Sequence, residues 1–265
     1  MKKTLFVNIF CGFLLSATPS AAIDTSALMA SGQQYEDAQQ WSEAFSLYSE
    51  VLKFDPQNAT AHYRLGRVSE RQGAIDTALK SYQEALRLNP GMAEAKQALA
   101  GYYVNRGVGF RLNNQSSEAT QAFQQALTYD PTSSGAHFEL GQIFEQQRQL
   151  DNAKTEYQET IKLDANHSAA HTRLANVYAG QGQHQDALKE FQEVLRLNAE
   201  DPAAHYGIGV AYSELGQREQ AIASLKQAVR FYLRNGHRDK AQPAYTLQKK
   251  LEAEQYATPQ TGKKK

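Results

Sequence analysis

Six small residues, Gly32, Gly66, Gly107, Gly141, Ala175 and Gly209, occupy the same place in a pattern that recurs along this 265-residue chain. Twelve positions after each comes an alanine (Ala44, Ala78, Ala119, Ala153, Ala187, Ala221), and four positions after that an aromatic residue or leucine. Successive copies lie 34 residues apart, except for one interval of 41 between Gly66 and Gly107. A period of this length specifies stacked helix pairs, because one pair cannot bury its own apolar face and its neighbours must close it. Function in such a chain is sought on surfaces rather than in a catalytic pocket.

Each unit holds two runs with apolar or small residues three and four apart, the mark of two amphipathic helices. In the second unit Leu65, Gly66 and Ser69 fall on one helix and Ala78, Tyr82 and Ala85 on the next. The small residues permit close approach, and Tyr82 is expected to fill the gap. Asn89-Pro90, Asp55-Pro56 and Asp130-Pro131 end second helices, since proline disfavours a helical residue before it. Ala165 and Ala199 replace this proline in later units.

His62-Tyr63-Arg64-Leu65-Gly66, with Ala78, Tyr82, Ala85 and Pro90, resembles the tetratricopeptide repeat family. The resemblance implies an all-α, right-handed α-solenoid, with repeats over residues 25–58, 59–92, 100–133, 134–167, 168–201 and 202–235. Departures are Ser69 for the usual aromatic, Thr160 for the usual alanine and Leu233 for the final proline. The family implies no single function, because such arrays serve unrelated systems as scaffolds and peptide receptors.

The first 22 residues read as a secretory signal peptide. Lys2 and Lys3 precede an apolar run from Leu5 to Leu15, and Ser20-Ala21-Ala22 supplies the small residues a signal peptidase accepts. The mature chain is expected to start near Ile23. The run is shorter than the roughly 20 apolar residues of a bilayer span, so an uncleaved anchor is the lesser alternative. Cys11 follows the bulky Phe10 and precedes much of the apolar segment, which argues against lipidation. Removing the leader removes the only cysteine and leaves 26 basic against 28 acidic residues, a formal charge of -2. Such a chain has no disulfide and no basic stripe for nucleic acid. The expected location is the periplasm, with the sequons at Asn58, Asn114 and Asn166 reflecting loop composition.

The seven residues 93–99 account for the long interval. Met92 to Leu99 is strongly helix-forming, which predicts one long helix to about Leu112. At the far end Asn235-Gly236 is a helix stop, and a capping helix is expected over 239–254, with Asp239 as its cap and Pro243 in its first turn. Ala241, Ala244, Tyr245, Gln248 and Leu251 form its inner face; Lys249, Lys250, Glu252 and Glu254 look outward. Residues 255–265 read as a disordered basic tail.

No nucleophile and base set, nucleophile elbow or phosphate-binding loop is present, so no enzymatic activity and no cofactor are expected. Of seven histidines, His62, His137, His171 and His205 share one repeat position, which packing explains. His167 and His171 are four apart, but the short stretch around them offers no third metal ligand.

In the family the first helix of each repeat lines a concave surface. The positions implicated here are Tyr63, Arg67, Arg71, Val104, Val108, Arg111, Phe138, Gln142, Thr172, Asn176, Tyr206 and Val210. Aromatic residues beside arginine are the types that carry binding energy. The Lys and Asn pattern with which some members clamp a C-terminal carboxylate is missing. The expected function is a periplasmic scaffold that binds a protein segment, with envelope or secretion-type assembly as its context. Self-assembly through such a groove, and an accessory role in an envelope enzyme complex, are the alternatives.

Overall fold

The structure, a computed structural model, describes residues 24–257. The expected leader and the residues from 258 onward lie outside that span. Among the described residues there are thirteen α-helices and no strand, an all-α fold. The chain divides between Ala95 and Lys96, within the seven extra residues, into two compact units. The first unit holds α1 (Thr25–Asp37), α2 (Trp41–Phe54), α3 (Ala59–Arg71) and α4 (Ile75–Leu88). The division falls in the first turn of α5 (Ala93–Leu112). The second unit continues with α6 (Ser116–Tyr129), α7 (Ser134–Gln146), α8 (Leu150–Leu163), α9 (Ser168–Gly180), α10 (His184–Leu197), α11 (Pro202–Glu214), α12 (Arg218–Arg234) and α13 (Arg238–Ala257).

Capping explains where the first helices of the pairs begin. Eight residues before the small residue stands a side chain that accepts from the helix's own free N–H groups: Asp24, Asn58, Ser133, His167 and Asp201. An unsatisfied N-terminal N–H is costly, so such residues fix the start. In the third copy that position is Leu99, which cannot accept. The helix therefore runs through it and starts at Ala93, making α5 twenty residues long. Ala95 and Leu99 are fully buried, so the extra segment is core-forming as well as helix-forming.

The small residues make room for rings. A Cβ added to Gly32 would lie 2.6 Å from the Tyr48 ring, and one on Gly141 would lie 2.6 Å from Tyr157. Gly66 faces Tyr82, Gly107 faces Phe123 and Gly209 faces Leu225 in the same way. Ala175 is the exception, since it carries a Cβ. Its partner ring, Phe191, lies over Gly207 of the next first helix, where an added Cβ would fall only 2.3 Å away. The space lost on one helix is returned by the other.

Each pair turns through a residue at positive φ: Gln39, Gly73, Asn114, Arg148, Gly182 and Gly216, seven positions after the small residue. The following N–H then reaches back five residues, as Gln149 N–H does to Phe144 O at 2.8 Å. Arg148 holds φ 60 with a Cβ that this conformation penalises. Arg148→Gly is therefore expected to stabilise the second unit by about 0.5–1 kcal/mol, the left-handed strain relieved less the added freedom of the unfolded chain. Urea unfolding followed by circular dichroism measures it. A loss of stability would mean that the arginine side chain contributes more than the turn costs.

Four details of the C-terminal helix differ from expectation. Ala241 N–H donates to His237 O at 3.1 Å, so the cap falls on His237 and Asp239 sits in the first turn. There its charge favours the helix dipole. Pro243 lies inside the helix, and the helix continues to Ala257, past Glu254, because the next helix-breaking residue is Pro259. Tyr245 is 46 % exposed rather than inward, with the Lys249 ammonium over its ring. Ala241, Ala244, Gln248 and Leu251 are buried against α12. Glu252 lies 3.3 Å from Lys226 of α12, and the Lys249 ammonium and Gln248 amide beside it hold its carboxyl down at about 2.

Candidate protein-binding surface

The twelve residues assigned to a binding face all lie on first helices, Tyr63, Arg67 and Arg71 in the first unit and the others in the second. Several are engaged in packing. The Tyr63 ring is 5.9 Å from Tyr82, and Phe138 is 5.8 Å from Tyr157 and 4.6 Å from His167. Tyr206 packs against the cluster around Ala221 and Leu225, and Val104 and Val108 against that around Phe123. Each is half-buried, one side on the core and one side open. Gln142 and Val210 are half-buried, and Asn176 is exposed. Thr172 turns its hydroxyl back to Ser168 O at 3.0 Å.

Two of the three arginines are already paired. Arg67 Nη1 is 3.2 Å from Glu36 Oε1, with its guanidinium over the Tyr63 ring. Arg111 Nε is 2.7 Å from Glu139 Oε2, off the hydrogen-bond axis, so the contact is an ion pair without an aligned bond. Arg71 is exposed and faces no acidic partner among the described residues.

These pairs belong to a polar lattice that the aromatic pattern conceals. Tyr48 Oη donates to Glu36 at 3.0 Å, Tyr82 Oη to Glu70 at 2.7 Å and Tyr157 Oη to Glu145 at 2.6 Å, each carboxylate twelve residues before its tyrosine. Burial, and then the carboxylate, push each of these phenols well above the ordinary range, so they remain neutral donors. Where the ring lacks a hydroxyl the carboxylate is gone too: Arg111 precedes Phe123, Ala179 precedes Phe191 and Ser213 precedes Leu225. A second link runs 28 residues forward. Arg64 reaches Glu36 at 3.1 Å, Arg173 reaches Glu145 at 3.4 Å, and Arg111 with Glu139 is the same pair with its charges exchanged. Spacings of 12 and 28 between tyrosine, glutamate and arginine are the sequence signal for it.

The recurrent histidines tie turns to helices. Nε2 of His62, His137, His171 and His205 lies 3.0–3.3 Å from the carbonyl oxygen six residues earlier, at Pro56, Pro131, Ala165 and Ala199. Two have a carboxylate at the other nitrogen, His137 with Glu156 at 2.7 Å and His171 with Glu190 at 2.6 Å. His167 caps α9 through Nδ1. Ser69 and Thr160, the two polar departures from the repeat, are fully buried. Thr160 donates to Glu156 O at 2.8 Å, and the Ser69 hydroxyl has no partner among the described residues.

Comparison with known sequences agrees with this geometry. Tetratricopeptide repeat profiles match residues 29–93, 112–177, 175–216 and 202–235, most of the chain taken together. The chain belongs to the tetratricopeptide repeat family. A stretch of 101 residues of this tetratricopeptide protein is 27 % identical to a probable UDP-N-acetylglucosamine–peptide N-acetylglucosaminyltransferase SPINDLY of Hordeum vulgare, covering 38 % of this chain and 11 % of that one. The chain spans about a tenth of the length of the curated relatives it matches. Among solved structures, YrrB, described as a TPR protein with an unusual peptide-binding site, aligns at TM-score 0.49 and 22 % identity over 69 % of this chain and 91 % of its own. The type IV pilus biogenesis factor PilW aligns at 0.46 and 20 % identity over 83 % and 98 %. No described helix is long and apolar enough to cross a membrane.

Proposed function

We propose that this tetratricopeptide repeat protein is a non-catalytic scaffold that holds a segment of a partner protein on the open face of its first helices. The observation that carries the reading is the half-buried aromatic at one repeated position, Tyr63, Phe138 and Tyr206, with one side seated on the core and the other open. An aromatic held this way loses little freedom on binding and presents a rigid apolar anchor. The leader read over residues 1–22 supports export, and the proposed setting is the periplasm, in assembly of the envelope or of a secretion-type machine.

The test separates this face from the second helices. A photo-crosslinking residue at the exposed Asn176 of α9 is expected to capture the partner in its own envelope, whereas one at the exposed Gln192 of α10 is not. Alanine at an anchoring aromatic should then cost about 2 kcal/mol or more of affinity for that partner. Because Phe138 also packs on Tyr157, affinities are compared at a temperature where circular dichroism shows every variant folded. Capture at Gln192 alone would move the site to the second helices.

A further inference from the structure

Each tyrosine-bound carboxylate described above has the same local geometry, but only two of the three are completed by a cation. Glu36 receives Arg64 and Arg67, and Glu145 receives Arg173. Glu70 receives none: the residue 28 positions on is Ala98, and the equivalent position after the seven extra residues, two before Gly107, is Asn105. Among the described residues no basic group forms an ion pair with it. Tyr82 Oη holds Glu70 Oε2 at 2.7 Å, as Tyr157 Oη holds Glu145 Oε2 at 2.6 Å. At Glu145 the second oxygen, Oε1, accepts the guanidinium of Arg173. At Glu70 that second oxygen has no such partner among the described residues.

Beside it is a cleft of about 410 Å³ lined by Arg67, Glu70 and Arg71. Arg67 is drawn toward Glu36, which leaves one open carboxylate and one open guanidinium, Glu70 and Arg71, side by side at the exposed end of α3. A bare cation entering here would meet Arg71, and a bare anion would meet Glu70. The occupant that satisfies both is zwitterionic.

We propose that Glu70 and Arg71 form a docking site for an arginine with an acidic residue beside it, presented by the bound partner. The arginine takes the place on Glu70 that Arg64 and Arg173 take on their own carboxylates, and the acidic residue pairs with Arg71. Tyr82 fixes the carboxylate in advance, so little ordering is left for binding to supply. This rests on the protein-binding reading above and names the chemistry of the segment that it accepts.

The experiment uses the full chain and a series of immobilised, end-blocked peptides in which an Arg-Glu pair is walked along a constant background, with matched Gln-Glu peptides. The parent is expected to retain the Arg-Glu peptides roughly tenfold better, the order of a charged hydrogen bond. Glu70→Gln should remove that preference while keeping its fold, since the amide oxygen still accepts from Tyr82. Glu70→Lys should invert it, favouring Gln-Glu over Arg-Glu peptides. Tyr63→Ala should weaken all peptides alike and leave the preference intact. A parent without the preference, or a preference that survives in Glu70→Gln, overturns the docking site and leaves the scaffold reading standing. A parent that retains no peptide of either series overturns both.

Discussion

Tyr157→Ala is expected to lower the stability of the second unit by about 3–5 kcal/mol. The ring is fully buried, fills the space left by the missing Cβ of Gly141, carries Phe138 on one side and ends in a hydroxyl that donates to Glu145. Truncation removes all of these and leaves a cavity that helices held by their other neighbours cannot fully close. Tyr157→Phe isolates the hydroxyl, whose partner is a carboxylate, and should cost about 1.5–3 kcal/mol. Repeat arrays need not unfold in one step, so the readout is hydrogen exchange of α7, α8 and α9 beside urea unfolding. Protection unchanged in those three helices would remove the ring from the centre of the packing.

Gly141→Leu approaches the same contact from the opposite side. Even its first carbon would lie 2.6 Å from the Tyr157 ring. Overpacking of this kind should cost about 1–3 kcal/mol, read as a lowered melting temperature. The two changes share one volume, so the double variant should be less destabilised than the sum of the singles. Strict additivity would show that the glycine and the ring do not share a slot.

The skeleton of the fold was legible because helix packing repeats with the chain: glycine, alanine and ring recur at fixed offsets, and each offset corresponds to one contact. The turns were less so. Gly73, Gly182 and Gly216 mark the left-handed position, as does Asn114, whose side chain tolerates it, but Gln39 and Arg148 occupy it without a residue that announces it. The binding face was legible only as a register position. Tyr63 and Phe138 lie beside core rings, and sequence spacing cannot tell an open aromatic from one half used in packing. Arg67 and Arg111 read as positions on the binding face because their acids, Glu36 and Glu139, sit 31 residues before the one and 28 after the other. That distance falls within one repeat length and outside any helical spacing, so a reading confined to single helices misses it.

The forward link between first helices also restricts the order in which repeats can follow one another. Arg111 requires an acid 28 residues on and finds Glu139; Glu145 requires a base and finds Arg173. Were the segment carrying Arg173 moved to follow the one carrying Arg111, two guanidinium groups would meet where an ion pair now stands, and the carboxylate of Glu145 would lose its cation. Duplication or reshuffling of whole repeats preserves the helix pairs but mismatches their edges. Copies that look interchangeable by their glycines, alanines and rings are thus keyed to their neighbours, and growth of the array by internal recombination is admissible only at junctions where the keys agree.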